Sequence, residues 1–496
     1  MKIIINNECD FENAINSKQN IIEINNCFEI TKTYKIDFDT TIFSKNKIDL
    51  NISDNLLDCC FNITKNVNFK NISFNGNNNI KRNESFIINS GNLTLDKINI
   101  NNFNSKCNGA AICLNKKSIL NIINFSTINN CESDLNGGAI YSNNSTVYMH
   151  NAYLESNKAN NGGGMYIENN SYCLIDFSSI IKNTANINGG GICINDNNHV
   201  STVTFKNFNS MYYNKAINGI DIYNDGILEL YSYNAFNDGI YLCSDKNELK
   251  IKDTLNNSKI SIEKSKHIDP LSNKSILTIA KCTESYPRLN NYDMDSIIIP
   301  NELFDNWELN KNESNDEVIL KDINTYNISY TNTKDAINPN PKTYKIDDLP
   351  IVLKPLNKDG FIFTNFTNPD NIIVSTIPSG FKSDITLKAN WENIEYKNIN
   401  FDSNTKDIVN DMPQNTKVKC NSNIIVSDSI PKRRGYIFLN WNKKNDDSST
   451  KIYPNQELKK INEDIVLYAI WYKLPYICFC CNPICICCKC KHKLHK

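Results

Sequence analysis

Seven cysteines lie close together near the C-terminus, in a segment that also carries lysines and two histidines. They are Cys478, Cys480, Cys481, Cys485, Cys487, Cys488 and Cys490. Thiolates at these short spacings can converge on a soft metal ion, so the pattern predicts binding of Zn or Cu(I), with His492 and His495 as further ligands. The spacing matches no closed zinc-finger pattern of CxxC pairs.

Three other interpretations of this tail remain open. The cysteines can be acylated beside Lys489 and Lys491, and lipid plus basic charge would then give membrane association through the tail. They can form disulfide cross-links between neighbouring chains of a surface layer. The third interpretation is an unstructured tail without a selected chemistry.

Carboxylates in the first half of the chain are the next residues with catalytic potential. They are Asp134, Glu155, Asp176 and Asp196, and an acidic row of this kind would suit a polysaccharide lyase or hydrolase. We interpret them instead as a solvated face, because His150, His199 and His267 are isolated and Arg82 and Arg288 are the segment's only arginines. No nucleophile elbow, P-loop, dinucleotide fingerprint or metalloprotease motif occurs. The sequence therefore predicts no enzyme and no cofactor beyond the metal that the tail would bind.

Length and charge limit the remaining function classes. A chain of 496 residues is longer than a single hydrophobic core usually organises, so its length predicts about two to four domains. Its 53 basic and 54 acidic side chains nearly cancel, which argues against nucleic acid as a partner. No window is apolar over the ~18 residues of a membrane helix, and we find no signal peptide. The other twelve cysteines, scattered from Cys9 to Cys420, are interpreted as small buried apolar residues.

A glycine-rich repeat sets the organisation of the first three hundred residues. The glycine runs lie 25 to 30 residues apart, and an Asn stands five to seven residues before most of them. The runs are Gly137–Ile140, Gly162–Met165 and Gly189–Ile192, with a weaker Gly219–Ile222 and a degenerate Gly109–Ile112, and the preceding residues are Asn130, Asn157, Asn183 and Asn214. A period of this length is typical of a solenoid.

Short alternating strands separate the glycine runs, each with one apolar face. The apolar pairs are Leu120 and Ile122, Val147 and Met149, Val203 and Phe205, and Leu228 and Leu230. We therefore predict a right-handed parallel β-helix over residues 1–310, one coil per repeat, with Gly and Asn in positive-φ corners. A short helix at Phe11–Ile15 is predicted to cap its open N-terminal end.

These repeats resemble those of the chlamydial polymorphic outer membrane proteins, whose signatures are GGA(I/L/V) and FxxN. Gly137–Ile140 matches the first signature, whereas Leu154–Asn157 and Ile180–Asn183 carry an aliphatic residue in place of the Phe. The resemblance is clearest over residues 108–222. It implies a surface adhesin or passenger domain built on a right-handed β-helix.

Two similar segments follow, over residues 326–392 and 396–471. Each ends in Asp-Ile-x-Leu-x-Ala-x-Trp, at Asp384–Trp391 and Asp464–Trp471, after a Gly-aromatic-x-Phe run. They resemble internalin-type B-repeats, also called Listeria/Bacteroides repeats, which implies small β-grasp-like modules of surface proteins. Their Trp391, Trp441 and Trp471 are interpreted as core residues.

Together these patterns predict a mainly β chain: a β-helix, two small modules and a Cys-rich basic tail at 472–496. The expected function is that of a non-enzymatic, adhesin-like protein of the cell surface or envelope, or a secreted one. Its expected partners are protein or glycan ligands on another surface. The alternative is a carbohydrate-active β-helix enzyme.

Overall fold

The computed structural model describes residues 2–196, 200–244, 246–263, 265, 268, 276–299 and 306–475. Strands make up 52% and helices 4%, so the chain is mainly β, as predicted. Two compact units divide it, one formed mainly by residues up to Thr325 and the other mainly from Tyr326 onward. Within the described ranges, no helix is long and apolar enough to cross a membrane.

The first unit is a β-solenoid of about nine turns, which confirms the predicted fold class. Two helices belong to it, α1 (Glu8–Asn16) and α2 (Asn291–Asp295). Its strands are β1 (Lys2–Ile5), β2 (Ile21–Ile24), β3 (Glu29–Ile30), β4 (Tyr34–Ile36), β5 (Thr40–Ile52), β6 (Phe61–Ile63), β7 (Asn66–Asn75), β8 (Lys81–Arg82), β9 (Ile87–Asn89), β10 (Asn92–Asp96), β11 (Asn99–Asn101), β12 (Asn104–Ser105), β13 (Ile112–Leu114), β14 (Ile119–Asn129), β15 (Glu132–Ser133), β16 (Ile140–Asn143), β17 (Thr146–Glu155), β18 (Lys158–Asn161), β19 (Met165–Glu168), β20 (Tyr172–Asp176), β21 (Ser179–Ile181), β22 (Thr184–Asn188), β23 (Ile192–Asn195), β24 (Thr202–Phe205), β25 (Ser210–Tyr212), β26 (Ile222–Asn224), β27 (Ile227–Leu230), β28 (Ala235–Leu242), β29 (Leu249–Ile251), β30 (Lys259–Ile262), β31 (Ile276–Cys282), β32 (Ile297–Ile298), β33 (Trp307–Lys311) and β34 (Glu317–Asp322).

Successive coils stack as parallel strands in register. Leu93 of β10 pairs with Leu120 of β14, Leu120 with Val147, and Val147 with Cys173. All four side chains are buried, because alternate residues of a strand point to the same side of the sheet. The inward apolar ladder predicted from the sequence is therefore confirmed at Leu120 and Val147.

Glycines at one corner of the coil allow a left-handed backbone conformation and also let neighbouring coils approach closely. Gly162 and Gly189 have φ of 63° and 65°, in the left-handed region that bulky residues avoid. The next glycine of each run faces the neighbouring coil: a Cβ on Gly163 would lie 2.4 Å from the carbonyl oxygen of Gly190. The glycine part of the corner prediction is therefore confirmed.

The asparagines before the glycine runs divide between two roles. Asn130 has a positive φ of 49°, as predicted for a corner residue. Asn157, Asn183 and Asn214, however, lie one position further along the coil and are buried, and the positive φ falls on the preceding Ser156 and its equivalents. For these three residues the predicted corner position is wrong, because their side chains hydrogen-bond the neighbouring coils instead of setting the turn.

These three asparagines form a buried ladder along the solenoid. The Oδ1 atom of Asn183 accepts two hydrogen bonds from Asn157, one from the backbone N–H at 2.9 Å and one from the side-chain Nδ2 at 3.0 Å. The Nδ2 atom of Asn183 donates to the carbonyl of Leu154 at 3.0 Å and to Oδ1 of Asn214 at 3.2 Å. The Asn183 amide thus ties three consecutive coils together in the dry interior.

Both ends of the solenoid core are covered. Helix α1 begins after Asn7, whose side chain accepts the N–H of Asp10, and it buries Phe11 and Ile15. This confirms the predicted capping helix. At the other end β31 pairs with β34 in antiparallel fashion, and β33 pairs with β34 on its far side. The antiparallel hairpin interrupts the parallel stacking and covers the last coil.

Two modules with the same strand order make up the second unit. Their sheets run β36-β35-β41-β38-β39 and β44-β42-β50-β47-β48. The strands are β35 (Tyr326–Thr331), β36 (Thr343–Tyr344), β37 (Ile351–Val352), β38 (Phe361–Thr367), β39 (Ile373–Val374), β40 (Thr376–Ile377), β41 (Ile385–Asn393), β42 (Tyr396–Asp402), β43 (Val409–Asn410), β44 (Thr416–Lys419), β45 (Ser422–Ile425), β46 (Lys432–Arg433), β47 (Tyr436–Asn442), β48 (Lys451–Ile452), β49 (Glu457–Ile461) and β50 (Ile465–Lys473), and one 3-10 turn spans Ile346–Asp348.

The tryptophans of these modules are buried to different extents. Trp441 is fully buried, with the rings of Phe401 and Phe438 each 5.0 Å from its own. Trp391 and Trp471 are only partly buried, and each donates its indole N–H to a loop carbonyl. The predicted core role is confirmed for Trp441, whereas the other two fasten a loop to the edge of the core.

Candidate ligand-binding groove

A groove of about 640 Å³ runs over the outer face of the N-terminal coils, and we call it the amide groove. Its lining is Asn20, Asp39, Thr40, Thr41, Asn66, Val67, Asn68, Asn92, Thr94, Ile119, Asn121 and Tyr148. Eight of these twelve residues are Asn or Thr, so amide and hydroxyl groups dominate the surface. The volume falls within the range of small-ligand sites in proteins.

The floor of the amide groove is one column of outward-facing residues, one from each coil. Thr41 pairs with Asn68, Asn68 with Thr94, Thr94 with Asn121, and Asn121 with Tyr148. Because neighbouring strands lie ~4.8 Å apart, the four steps of this column extend about 19 Å along the solenoid axis. The groove is therefore long and regular.

Several groups in the amide groove keep hydrogen-bonding capacity. Asn92 donates from Nδ2 to Oδ1 of Asn66 at 2.7 Å, and Asn121 donates to Oγ1 of Thr94 at 3.4 Å. The Oδ1 atom of Asn68 is shielded from water yet accepts no hydrogen bond from any described residue. The amides and hydroxyls of the other lining residues, and not this shielded oxygen, are therefore the groups that a ligand can reach.

Charge is nearly absent from the amide groove. Its lining contains one carboxylate, Asp39, which accepts the backbone N–H of Asn66 at 3.0 Å, and no Lys, Arg or His. Beside it on β7 and β10, Lys70 and Asp96 form an ion pair at 2.9 Å. Burial alone would raise the pKa of Asp96, but hydrogen bonds from Asn124 and Lys70 lower it below its ordinary value. This neighbouring pair is therefore neutral as a unit.

An aromatic pair marks one end of the amide groove. Tyr148 is 37% exposed, and the ring of Tyr172 from the next coil meets it edge-on at 6.3 Å. Two residues further along β17, His150 pairs with Asp176 at 3.1 Å. The groove thus ends in an amphipathic ring held in place by a second one.

The four carboxylates noted in the sequence do not form a row. Asp176 lies beside His150, whereas Glu155 lies beside Ile181 of the next coil, so these two occupy different positions in the repeat. Asp134 pairs with Lys81 at 2.6 Å and Glu155 with Lys182 at 2.8 Å, and Asp196 follows the end of β23. None of the four lines the amide groove.

A second acidic cluster, unnoticed in the sequence, lies near the last glycine corner. Asp221 accepts Nδ2 of Asn214 at 2.7 Å and the N–H of Asp238 at 2.9 Å, while Glu263 accepts the N–H of Gly219. Burial is the main cause that raises the pKa of Asp221 to about 6 and the pKa of Glu263 to about 7. Through the hydrogen bond from Asn214 to Asp221, the asparagine ladder ends at carboxyl groups that can be protonated.

The cysteines of the C-terminal tail, Cys478 to Cys490, lie outside the described residues. The twelve scattered ones are all free thiols, of which Cys59, Cys60, Cys131, Cys173 and Cys193 are buried. The prediction of buried cysteines is right for these five and wrong for the exposed Cys9 and Cys27. Within the described part of the chain, no group of three or more His, Cys, Asp or Glu is placed to hold a metal ion.

Sequence reasoning missed the amide groove. Its residues are spread from Asn20 to Tyr148, and only the exact coil register brings them into one column. The signal that was available is the run of Asn and Thr at the outward positions of β7 and β10, such as Asn68 and Thr94. In the clear repeats further along the chain, the outward positions are less uniform.

Comparison with known proteins supports the predicted repeat family for the second of the two modules. Searches against curated proteins and against solved structures found no match. The family described as Listeria-Bacteroides repeat domain matches residues 398–470, a segment that begins within β42 and ends within β50. The match does not extend to the first module, although that module has the same strand order. Residues 398–470 are therefore similar to the Listeria-Bacteroides repeat domain, in a chain whose first unit is a β-solenoid.

Proposed function

We propose that this chain is a non-enzymatic, adhesin-like repeat protein of the cell surface or envelope, or a secreted one. The observation that carries the proposal is the amide groove, an open site of about 640 Å³ that a regular solenoid presents along its side. The solenoid acts as a rigid support, and the ligand is a protein or glycan of another surface.

Two sequence families support this location. The repeat domain at 398–470 belongs to a family that we associate with surface proteins, and the first module repeats its strand order. The run Gly137–Ile140 resembles the signature of the polymorphic outer membrane proteins, which are surface adhesins or passenger domains. Both resemblances point to the same class of protein, although they concern unrelated folds.

Fractionation of the native cells, followed by a binding assay, tests this proposal. We expect the protein in the envelope or culture medium, and we expect the purified chain to bind intact target cells saturably. Recovery only from the cytosol would overturn the location. Release of reducing or unsaturated sugars from a polysaccharide panel would overturn the non-enzymatic role in favour of a carbohydrate-active enzyme.

For the cysteine-rich tail we propose binding of Zn or Cu(I) by Cys478, Cys480, Cys481, Cys485, Cys487, Cys488 and Cys490. The support is the spacing of the thiols, which suits a soft ion. Native mass spectrometry of the full chain separates the outcomes, because bound metal, acyl chains and disulfide-linked dimers each add a different mass. Acyl chains would indicate a membrane anchor instead.

A further inference from the structure

We infer that the amide groove binds a neutral glycan chain, laid along the solenoid axis with an apolar sugar face against Tyr148. This inference rests on the proposed function and names the ligand class of the same site. The shape agrees with a chain-like ligand, because one residue from each of five coils forms a floor about 19 Å long.

The lining favours a ligand with many hydroxyl groups. Amides and hydroxyls both donate and accept hydrogen bonds, as sugar hydroxyls do, and eight of the twelve lining residues are Asn or Thr. At one end Tyr148 offers a ring that packs against C–H groups while its hydroxyl stays in water.

Charge selects a neutral glycan over an acidic one. A carboxylated or sulfated sugar would find no Lys, Arg or His in the lining, and it would meet the carboxylate of Asp39. Lys70, which follows the lining residues on β7, is already paired with Asp96 at 2.9 Å. An acidic chain would thus lose its hydration without gaining a counter-charge.

A peptide fits the amide groove less well. Peptides bind mainly through apolar anchors that fill pockets or through main-chain bonds to a free strand edge. Here β7 is paired with β5 and β10, and β10 is paired with β7 and β14, so the floor offers no free edge. Val67 in the lining is buried, which leaves Ile119 and Tyr148 as the apolar contacts.

Affinity electrophoresis of the full chain tests the inference. The gels contain neutral polymers (α- and β-linked glucans, mannan, galactan, xylan and soluble chitin oligomers) or acidic ones (polygalacturonate, alginate and hyaluronan). We expect at least one neutral polymer to retard the chain, with retardation that persists in high salt. Retardation by acidic polymers alone, or by none of the panel, would overturn the inference.

Matched variants within one strand assign the site. Asn121 and Asn129 both face outward from β14, but only Asn121 lines the amide groove. We expect Asn121→Val to weaken binding about three- to tenfold, as the loss of one hydrogen-bonding group does. Tyr148→Ala should weaken binding about tenfold. Asn129→Val should bind as the wild type does, and equal effects of Asn121→Val and Asn129→Val would refute the assignment.

Failure of this inference and failure of the proposed function give different results. If the chain is exported and adheres to target cells, but Asn121→Val and Tyr148→Ala adhere equally well, the glycan assignment is wrong and the adhesin role stands. Protease treatment of those cells that abolishes adhesion would then indicate a protein ligand. If a neutral glycan binds but the chain stays in the cytosol, the inference holds and the surface location is wrong.

Discussion

Replacement of Asn183 by Leu tests whether the buried asparagine ladder holds the coils together. The side chain is fully buried and takes part in four hydrogen bonds, two accepted from Asn157 and one donated to each of Leu154 and Asn214. Leu has a similar volume but replaces none of them. The change therefore separates hydrogen bonding from packing.

The expected cost follows from these contacts. A typical hydrogen bond contributes about 0.5–1.5 kcal/mol net, and a buried group left without a partner costs about 1–3 kcal/mol. The backbone N–H of Asn157 loses the acceptor that it has in the wild type, and the Nδ2 group of the same residue loses one of its two acceptors and keeps the carbonyl of Ile128. After allowance for the apolar gain of Leu, we expect a loss of about 3–4 kcal/mol in the free energy of unfolding.

Hydrogen exchange measured by mass spectrometry is the suitable assay, because a solenoid opens locally and need not unfold in a single step. A loss of this size predicts exchange about a hundred- to a thousandfold faster in peptides that contain Leu154 and Met211, the neighbouring coils. The matched control is Asn186→Leu in the same coil. Asn186 is exposed and donates one hydrogen bond to Asn160, so its replacement should change stability by less than ~0.5 kcal/mol. Equal protection in both variants would refute the account of the ladder.

Three further predictions concern buried ionisable groups. Because folding raises the pKa of Asp221 to about 6 and the pKa of Glu263 to about 7, their stabilising contribution is complete at low pH and is lost as the pH rises through these values. Hydrogen exchange in peptides that contain these two residues, corrected for the intrinsic effect of pH, should therefore show a loss of ~2–4 kcal/mol in the free energy of opening between pH 5 and pH 8. Arg82 is buried without an ion-pair partner among the described residues, and its Nε and Nη2 atoms lack hydrogen-bond partners there, while Nη1 donates to the carbonyls of Ser53 and Leu56. Because the desolvation of the charge outweighs these two bonds, Arg82→Met should stabilise the solenoid by up to ~1 kcal/mol in the same assay, and a loss would contradict this. Burial raises the pKa of the Cys173 thiol, so this residue should resist alkylation in the native chain at about pH 8 while the exposed Cys9 reacts, as peptide mass spectrometry will show.

Local patterns were sufficient to predict the solenoid but not its contact surfaces. Alternation in segments such as Leu120 to Ile122 defines which side chains face inward, and the glycine period defines where each coil closes. Both are properties of a few neighbouring residues. The antiparallel hairpin that ends the solenoid, β33 and β34, lies beyond the last glycine run. The repeat does not extend to this part of the sequence and therefore does not predict the hairpin.

Features that depend on register between coils escaped the sequence analysis. Asn130 sets a corner, whereas Asn157 and Asn183 occupy the next, buried position of the coil. The number of residues between Asn and the glycine run varies from coil to coil, so this shift of one residue was not recognised in the sequence. The amide groove likewise exists only because Thr41 and Asn68 fall side by side although they are far apart in sequence. Neither relation can be read from one coil alone.

The ladder and the glycine corner also restrict how such a chain can change in length. Asn157 and Asn183 stand one coil apart, and each glycine carbonyl at the corner lies against the next coil. A duplication or deletion of a complete coil preserves every one of these contacts, whereas a gain or loss of one residue within a strand turns its apolar face outward. Variation in the length of this solenoid is therefore expected to occur in whole coils, so that the spacing of the inward and outward positions is kept.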